Sequence, residues 1–232
     1  MSWNNCLYWY AQERGGRYFG LWPWGAFDSG TDGALVLDDP KGPLLAFTKV
    51  TSAGRYGVSR DVTVGTAVEL ERAYRLRIKP QSTLREGWNT VLDGLDRGAR
   101  MLGKKVDLSP DYGVPELADD RGIKTSEPEF TRWVLRDRRL GELLDAHPDF
   151  WIQIGPAGPD SREHLVEARV SLDSHAGLME EPLDRYGNSM DLEVQQALVR
   201  EGGFSELLDA LTELAKAARD AVTAWPMPMK TP

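Results

Sequence analysis

Cysteine and histidine are scarce in this chain of 232 residues. Cys6 is the only cysteine, so an intramolecular disulfide and a metal site built from several cysteines are both excluded. Such sparing use of cysteine is typical of proteins kept in a reducing compartment. The histidines are His147, His164 and His175. His164 and Glu167 come closest to a ligand pair, but on a strand they would point to opposite faces, so we expect no metal site.

Long apolar runs are also missing. No stretch approaches the roughly 18 apolar residues that a membrane-spanning helix needs. The first residues, MSWNNCLYWYAQERGG, lack the basic start and the continuous apolar run of a signal peptide. We therefore expect a protein without a membrane span, located in the cytoplasm.

Basic residues are outnumbered, since 28 Lys and Arg against 36 Asp and Glu give a formal net charge of −8. General nucleic-acid binding needs a basic surface that displaces counterions from phosphates, so we expect no nucleic-acid partner. Hydrophobic residues make up 41% of the chain, which is enough for a core. No low-complexity linker divides the chain. We predict one domain over residues 1–232, with 1–104 and 121–226 as its possible halves.

The common catalytic and cofactor-binding motifs are absent. Gly15-Gly16 and Gly202-Gly203 suit helix ends, and neither belongs to a phosphate loop or a dinucleotide-binding motif. No base is identifiable for Cys6, so the sequence gives no support to a cysteine nucleophile. An acid–base pair chosen among 36 acidic residues would be arbitrary. The sequence predicts no cofactor and leaves open whether the protein is an enzyme.

Four segments show the apolar periodicity of helices. In the third, Ser126 and Glu129 match a capping box, and Asp137 marks a break. Trp133 falls on the apolar face of this helix, so we expect it in the core. Ser205 is the expected cap of the last helix. The predicted helices are 3–14, 82–102, 126–146 and 205–224.

Strand patterns lie between the helices. A hairpin is predicted where Asp39-Pro40-Lys41-Gly42 joins two apolar runs. Residues 68–79 alternate between two faces, which is typical of a half-buried antiparallel strand. Because strands cluster with strands, the sequence predicts an α+β fold: antiparallel sheet flanked by helices, with a helix–sheet–helix plan in each half. The predicted strands are 34–38, 43–50, 68–79, 149–154 and 164–172.

The most aromatic stretch is YFGLWPWGAF at residues 18–27, where Trp22 and Trp24 flank Pro23. Proline has no amide hydrogen to donate, so a strand must end there or lie at a sheet edge. Two interpretations follow. The aromatic side chains cover the core from a first edge strand, or Trp22, Trp24 and Phe27 form an exposed surface that binds a partner.

Three cations share one face of the strand predicted before Pro80. They are Arg75, Arg77 and Lys79, spaced by about 6.5–7 Å. Glu69 and Glu71 begin the same face. The cations therefore form either an ordinary solvated sheet surface with neighbouring ion pairs, or a patch that binds an anion or an acidic partner.

Three segments resemble a group of uncharacterised soluble actinobacterial proteins. They are LYWYAQERGGRYFG, ALVLDDPKGPLLAF and YGVPELADDRGIKTSEPEFTRWVLRDRRLGELLDAHPDFWIQI. Members share a Trp/Tyr-rich N-terminal helix with a YA…RG pattern, then a small strand–turn–strand unit. The chain departs most from the group after Ser171. The group has no assigned activity, so the resemblance carries over no catalytic residue and implies only a cytoplasmic accessory role.

Together these observations favour a non-enzymatic cytoplasmic binding or interaction module. Its partner would be a second copy of the chain, as a homodimer, or another protein. The alternative is a small-ligand-binding or hydrolytic protein with a pocket between sheet and helices. An enclosed pocket with several titratable groups would favour the alternative, and a flat apolar surface would favour the interaction module.

Overall fold

The computed structural model describes residues 3–20, 33–52, 58–80, 109–110, 121–158, 161–175 and 192–226. Over these ranges the chain has an α+β fold with antiparallel strand pairing, which confirms the predicted fold class. The chain divides into two compact units. The first is Met1–Ala67 with Glu167–Ala215, and the second is Val68–Val166 with Lys216–Pro232. The single domain and its halves stay predictions. The helix predicted at 82–102 lies outside the described residues.

The first unit contains an antiparallel sheet in which four strands pair in chain order. Its hairpin between the second and third strands is the predicted one. Gly42 has a φ of 114°, which favours glycine at this turn, and the Lys41 amide donates to the Asp39 carboxylate at 3.0 Å. The strands are β1 (Arg17–Phe19), β2 (Ala34–Leu37), β3 (Leu44–Ser52) and β4 (Val58–Glu69).

Helix α1 (Trp3–Arg14) packs on this sheet through one face, as its periodicity predicted. Cys6, Leu7, Tyr10 and Ala11 are buried. The helix ends at Gly15, whose φ of 74° lies in the left-handed region that favours glycine. The next residue matters for packing, because a Cβ added at Gly16 would approach Leu35 Cδ1 to 2.5 Å.

Two groups of hydrogen-bonded ion pairs tie α1 to the C-terminal helices α4 (Leu192–Glu201) and α5 (Phe204–Thr223). The Tyr10 hydroxyl donates to Asp209 at 2.7 Å, and Arg14 donates to the other oxygen of the same carboxylate at 2.5 Å. Glu13 accepts from Arg200 at 2.6 Å. Because these ion pairs are partly exposed, they contribute less to holding α1 in place than its buried apolar face does. In α5, the predicted stripe is buried: Leu207, Leu208, Leu211, Leu214, Ala215, Ala218 and Val222.

In the second unit, β5 lies between β7 and β8 and is antiparallel to both, and the short β6 pairs with the outer side of β7. Strand β9 belongs to this unit only through Val166. The elements of the second unit are β5 (Leu76–Pro80), β6 (Ser109–Pro110), β7 (Arg121–Thr125), α2 (Pro128–Val134), α3 (Arg138–Ala146), β8 (Trp151–Pro156) and the start of β9 (Glu163–Ser171).

The single strand predicted over 68–79 is wrong, because β4 ends at Glu69 and β5 begins at Leu76. Two backbone amides in the intervening turn donate to residues at the start of β9 and just before it, outside any strand ladder of residues 70–75. The Leu70 amide donates to the Arg162 carbonyl, and the Tyr74 amide donates to His164 Nε2, both at 2.9 Å. The alternation of buried residues continues through the turn, so it could not reveal the break.

The predicted capping box is also wrong. The Ser126 hydroxyl accepts from the Arg75 amide at 2.9 Å, and Glu127 is the N-cap of α2, with Pro128 following it in the first turn. The predicted break at Asp137 is confirmed: its carboxylate accepts from the Leu140 amide at 2.9 Å and caps α3. Ser205 is not a cap either, since it lies inside α5.

Candidate functional site

The predicted partner-binding residues Trp22, Trp24 and Phe27 lie outside the described residues. Their neighbours Tyr18 and Phe19 are described. The Tyr18 ring meets the ring of Tyr8 edge-on, with centroids 5.8 Å apart, whereas Phe19 is 56% exposed. The start of the aromatic segment thus has one side chain against α1 and one in solvent, which is compatible with both interpretations.

An exposed aromatic pair occurs elsewhere, on α2. Trp133 was expected in the core but is 42% exposed, so that prediction is wrong. Helix α2 has seven residues and buries Phe130, Thr131 and Val134. At about 100° per residue, Trp133 lies about 60° beyond Phe130 on the side away from Val134. The apolar stripe read from the sequence is therefore wider than the face that the helix buries.

Trp133 contacts a second exposed tryptophan. Trp225, which follows α5 and is 45% exposed, has its ring centroid 5.2 Å from that of Trp133, with the planes tilted by 38°. The guanidinium carbon of Arg136 lies 4.9 Å from the centroid of the Trp133 ring, within the range of a cation–π contact. Trp133, Trp225 and Arg136 are called the tryptophan surface below. No sequence pattern joins residues 133 and 225.

The three cations predicted as an anion patch do share one face. Leu76 and Ile78 are buried, Arg77 and Lys79 are half-buried between them, and Arg75 is exposed. The acidic residues expected beside them are placed differently. Glu69 ends β4 and Glu71 lies in the turn, so neither belongs to β5.

A fourth cation joins this group through the strand register. Arg77 is opposite Lys124 in β7 and opposite Gln153 in β8. Arg75, Arg77, Lys79 and Lys124 are called the basic face below. Sequence reasoning missed Lys124 because a single strand pattern shows which face a residue lies on but not which residue it faces.

Beside the basic face is a depression of about 180 Å³. Arg75 and Arg77 line one side, and Gln153, Gly155 and Pro156 of β8 line the other. A Cβ added at Gly155 would meet no heavy atom within 4 Å, so there is open space beside this residue. At the far end of the face, Lys79 Nζ lies 4.8 Å from the centroid of the Trp151 ring.

The side chains of His164 and Cys6 have structural roles. His164 is buried, and both of its ring nitrogens are engaged: Nε2 accepts from the Tyr74 amide, and Nδ1 donates to the Arg162 carbonyl at 2.9 Å. Burial raises the pKa of the Cys6 thiol to about 12, which keeps it protonated and weakly nucleophilic. Within the described ranges, no group of three His, Cys, Asp or Glu side chains is arranged to hold a metal ion.

The two surfaces differ in what they can bind. The tryptophan surface, with indole rings beside an arginine, suits an apolar partner surface with acidic groups. The basic face, with guanidinium groups beside lysines, suits an oxyanion.

A scan of protein-family models, a search of curated proteins and a search of solved structures each found no match. The resemblance to actinobacterial proteins stays a prediction. Among the helices described, none is long and apolar enough to cross a membrane.

Proposed function

We propose that this chain is a non-enzymatic cytoplasmic interaction module that binds another protein through the tryptophan surface. The observation that carries the proposal is the exposed contact between Trp133 and Trp225 beside Arg136. Tryptophan and arginine dominate the energetics of protein interfaces, because they combine large contact areas with few rotatable bonds or several fixed donors. The cytoplasmic location is supported by the scarcity of cysteine.

The apolar area of this surface is enough to matter energetically. A tryptophan side chain presents about 150–250 Å², so exposures of 42% and 45% leave roughly 130–220 Å² of the pair in water. Covering that area would contribute about 3–6 kcal/mol at about 25 cal/mol per Å². The costs of association offset part of this contribution, so it is an upper bound on what the two rings add to affinity.

The charges around the rings indicate the chemistry of the partner. Arg132 and Arg136 are exposed on and just after α2. In a two-fold contact this surface would face its own copy, and like charges would be brought together. A different protein, with an apolar patch bordered by acidic side chains, complements the surface better than a second copy does.

A photo-crosslinking experiment tests the proposal. A photoreactive amino acid is placed at Arg132, next to the tryptophans, and in a control protein at Leu165, a 44% exposed apolar residue of β9. We expect a discrete crosslink to a second protein from position 132 and none from position 165. The double variant Trp133→Ala and Trp225→Ala should lose the crosslink, whereas Phe19→Ala, which removes another exposed ring, should keep it.

Three results would contradict this function. The first is a crosslink that survives the double tryptophan variant, and the second is a crosslink equally strong from position 165. The third is a crosslink only to a second copy of the chain, which would support the homodimer instead. Circular dichroism melting of every variant separates lost binding from lost folding.

The alternative predicted function is a small-ligand-binding or hydrolytic protein with a pocket between sheet and helices. The depression fits it only in part, because it is lined by Arg75 and by residues of β5 and β8. The depression beside the basic face has about 180 Å³, below the roughly 300–1,000 Å³ of typical small-molecule pockets. It is therefore suited to a small group rather than to a large metabolite.

A further inference from the structure

We propose that the basic face is a phosphate-binding site, with the phosphate group held in the depression by Arg75 and Arg77. This inference is independent of the tryptophan surface and does not require a protein partner. It rests on the strand register, the shape of the depression and the chemistry of the side chains that line it.

The register brings like charges together. Arg77 and Lys124 are directly opposite on β5 and β7, where side chains lie about 4.5–5.5 Å apart at their Cβ atoms. A dianion bound beside these two side chains would be attracted by both. On the other side of Arg77, Gln153 contributes a neutral amide that can also donate to an oxyanion.

The cations stand out against the charge of the whole chain. The net charge is −8, yet four cations come together on one face: Arg77 and Lys79 of β5, Arg75 just before β5, and Lys124, the register partner of Arg77 in β7. Alternate residues of a strand are about 6.5–7 Å apart, so Arg75 and Arg77 can both reach an anion between them. Planar guanidinium groups bind phosphate oxygens in pairs, which suits two arginines on one side of a depression.

The volume of the depression limits the size of the group that it can hold. Its volume of about 180 Å³ admits several water molecules, and hence a single oxyanion, but not a nucleotide. The absence of a side chain at Gly155 leaves space on the side of the depression opposite the arginines. A phosphate dianion, with four oxygens, can accept from several of these donors together, whereas a carboxylate has only two oxygens. Both inorganic phosphate and a phosphoryl group on a larger molecule present this chemistry.

The test follows changes in the backbone amide signals of the nitrogen-15-labelled protein by NMR. Inorganic phosphate is titrated against the full chain while sodium chloride keeps the ionic strength constant. We expect saturable shifts confined to residues 75–79, 122–125 and 153–156. Arg75→Gln and Arg77→Gln should each weaken binding about tenfold or more, since each removes a charge-assisted contact. Arg132→Gln, an exposed arginine of α2, is the matched control and should leave the affinity unchanged.

Substitutions at Gly155 test the site without removing an arginine. Gly155→Glu places a carboxylate beside Arg75 and Arg77 and should abolish phosphate binding. Gly155→Ala should fold and bind normally, because the added Cβ has space.

A titration with glycerol phosphate, compared with that of inorganic phosphate, distinguishes the two sources of the ligand. Equal affinity for the ester indicates a phosphoryl group on a larger molecule, and weaker affinity indicates free phosphate; both results support the site.

Two outcomes would overturn the inference. One is a titration in which shifts are spread over exposed cations, including Arg132, without saturation. The other is saturable binding that Arg75→Gln, Arg77→Gln and Gly155→Glu all leave unchanged, which would place the phosphate elsewhere. Arg75 is exposed, and its bonds to Ser126 are made by its backbone amide and carbonyl, so substitution of its side chain should not disturb folding.

Discussion

Arg121 provides the sharpest test of what stabilises the second unit. Its guanidinium is buried, with the residue 5% exposed, and it donates to the carbonyls of Leu144, of His147 at 2.8 Å and of Phe150 at 2.9 Å. These carbonyls lie at and beyond the C-terminal end of α3, where helix carbonyls lack partners within the helix. A cation there also interacts favourably with the helix dipole. One side chain of β7 thus closes α3 and holds it to the sheet.

The expected cost of removing this side chain follows from its bonds. A hydrogen bond from a charged donor contributes about 1.5–3 kcal/mol net, but three bonds from one group do not add fully, and burying the charge offsets part of the gain. We expect Arg121→Met, which keeps the length of the side chain, to destabilise the protein by about 3–5 kcal/mol. At roughly 2–4 °C per kcal/mol for a chain of this size, the melting temperature should fall by about 6–20 °C.

Thermal melting followed by circular dichroism measures the effect. Arg121→Lys should fall between wild type and Arg121→Met, because one ammonium group keeps the charge but cannot match the fork of the guanidinium. Arg132→Met, on the exposed side of α2, is the control and should change stability by less than about 0.5 kcal/mol. If Arg121→Met melts within a degree of wild type, the three carbonyl contacts do not stabilise the fold and the reasoning fails.

Three further predictions concern buried residues. Leu211→Ala, in the fully buried stripe of α5, should cost about 2–5 kcal/mol in urea unfolding; an unchanged midpoint would make the stripe peripheral. His164→Phe should cost about 1–3 kcal/mol in the same assay, because the Tyr74 amide loses its acceptor and the Arg162 carbonyl keeps only the Leu70 amide as a donor; equal stability would show that neither bond of His164 matters. Cys6 should resist thiol reagents at pH 8 until the chain unfolds, since burial raises its pKa to about 12. The unfolded thiol ionises first, from its ordinary pKa of 9.0, so the contribution of Cys6 to stability should be lost as the pH rises from about 9 toward 12.

Most of the fold could be predicted from periodicity. The α+β class, α1, the β2–β3 hairpin, the buried stripe of α5 and the break at Asp137 all follow from patterns within one segment. Two of the failures occur where a distant residue bonds to a local group. Ser126 caps no helix, because the Arg75 amide takes its hydroxyl. The strand expected over 68–79 breaks where His164, about 90 residues further on, accepts from the Tyr74 amide.

The candidate sites follow the same rule. Three of the four cations of the basic face were predictable, because Arg75, Arg77 and Lys79 alternate along the sequence. Lys124 was not, because its position opposite Arg77 depends on register between strands far apart in sequence. The tryptophan surface was not predictable at all, since Trp133 and Trp225 come from segments that no local pattern connects.

The charge of the chain also bears on how the basic face would work. A net charge of −8 repels an approaching anion at long range, whereas Arg75, Arg77, Lys79 and Lys124 attract it at contact distance. The Debye length is about 30 Å at 0.01 M salt and about 10 Å at 0.1 M. At the higher ionic strength, the distant acidic residues are screened from the depression, while the guanidinium contacts, within about 3 Å, are screened much less. A local site on an acidic chain should therefore lose less affinity with salt than a general polyanion-binding surface, which distinguishes contact with one anion from diffuse attraction.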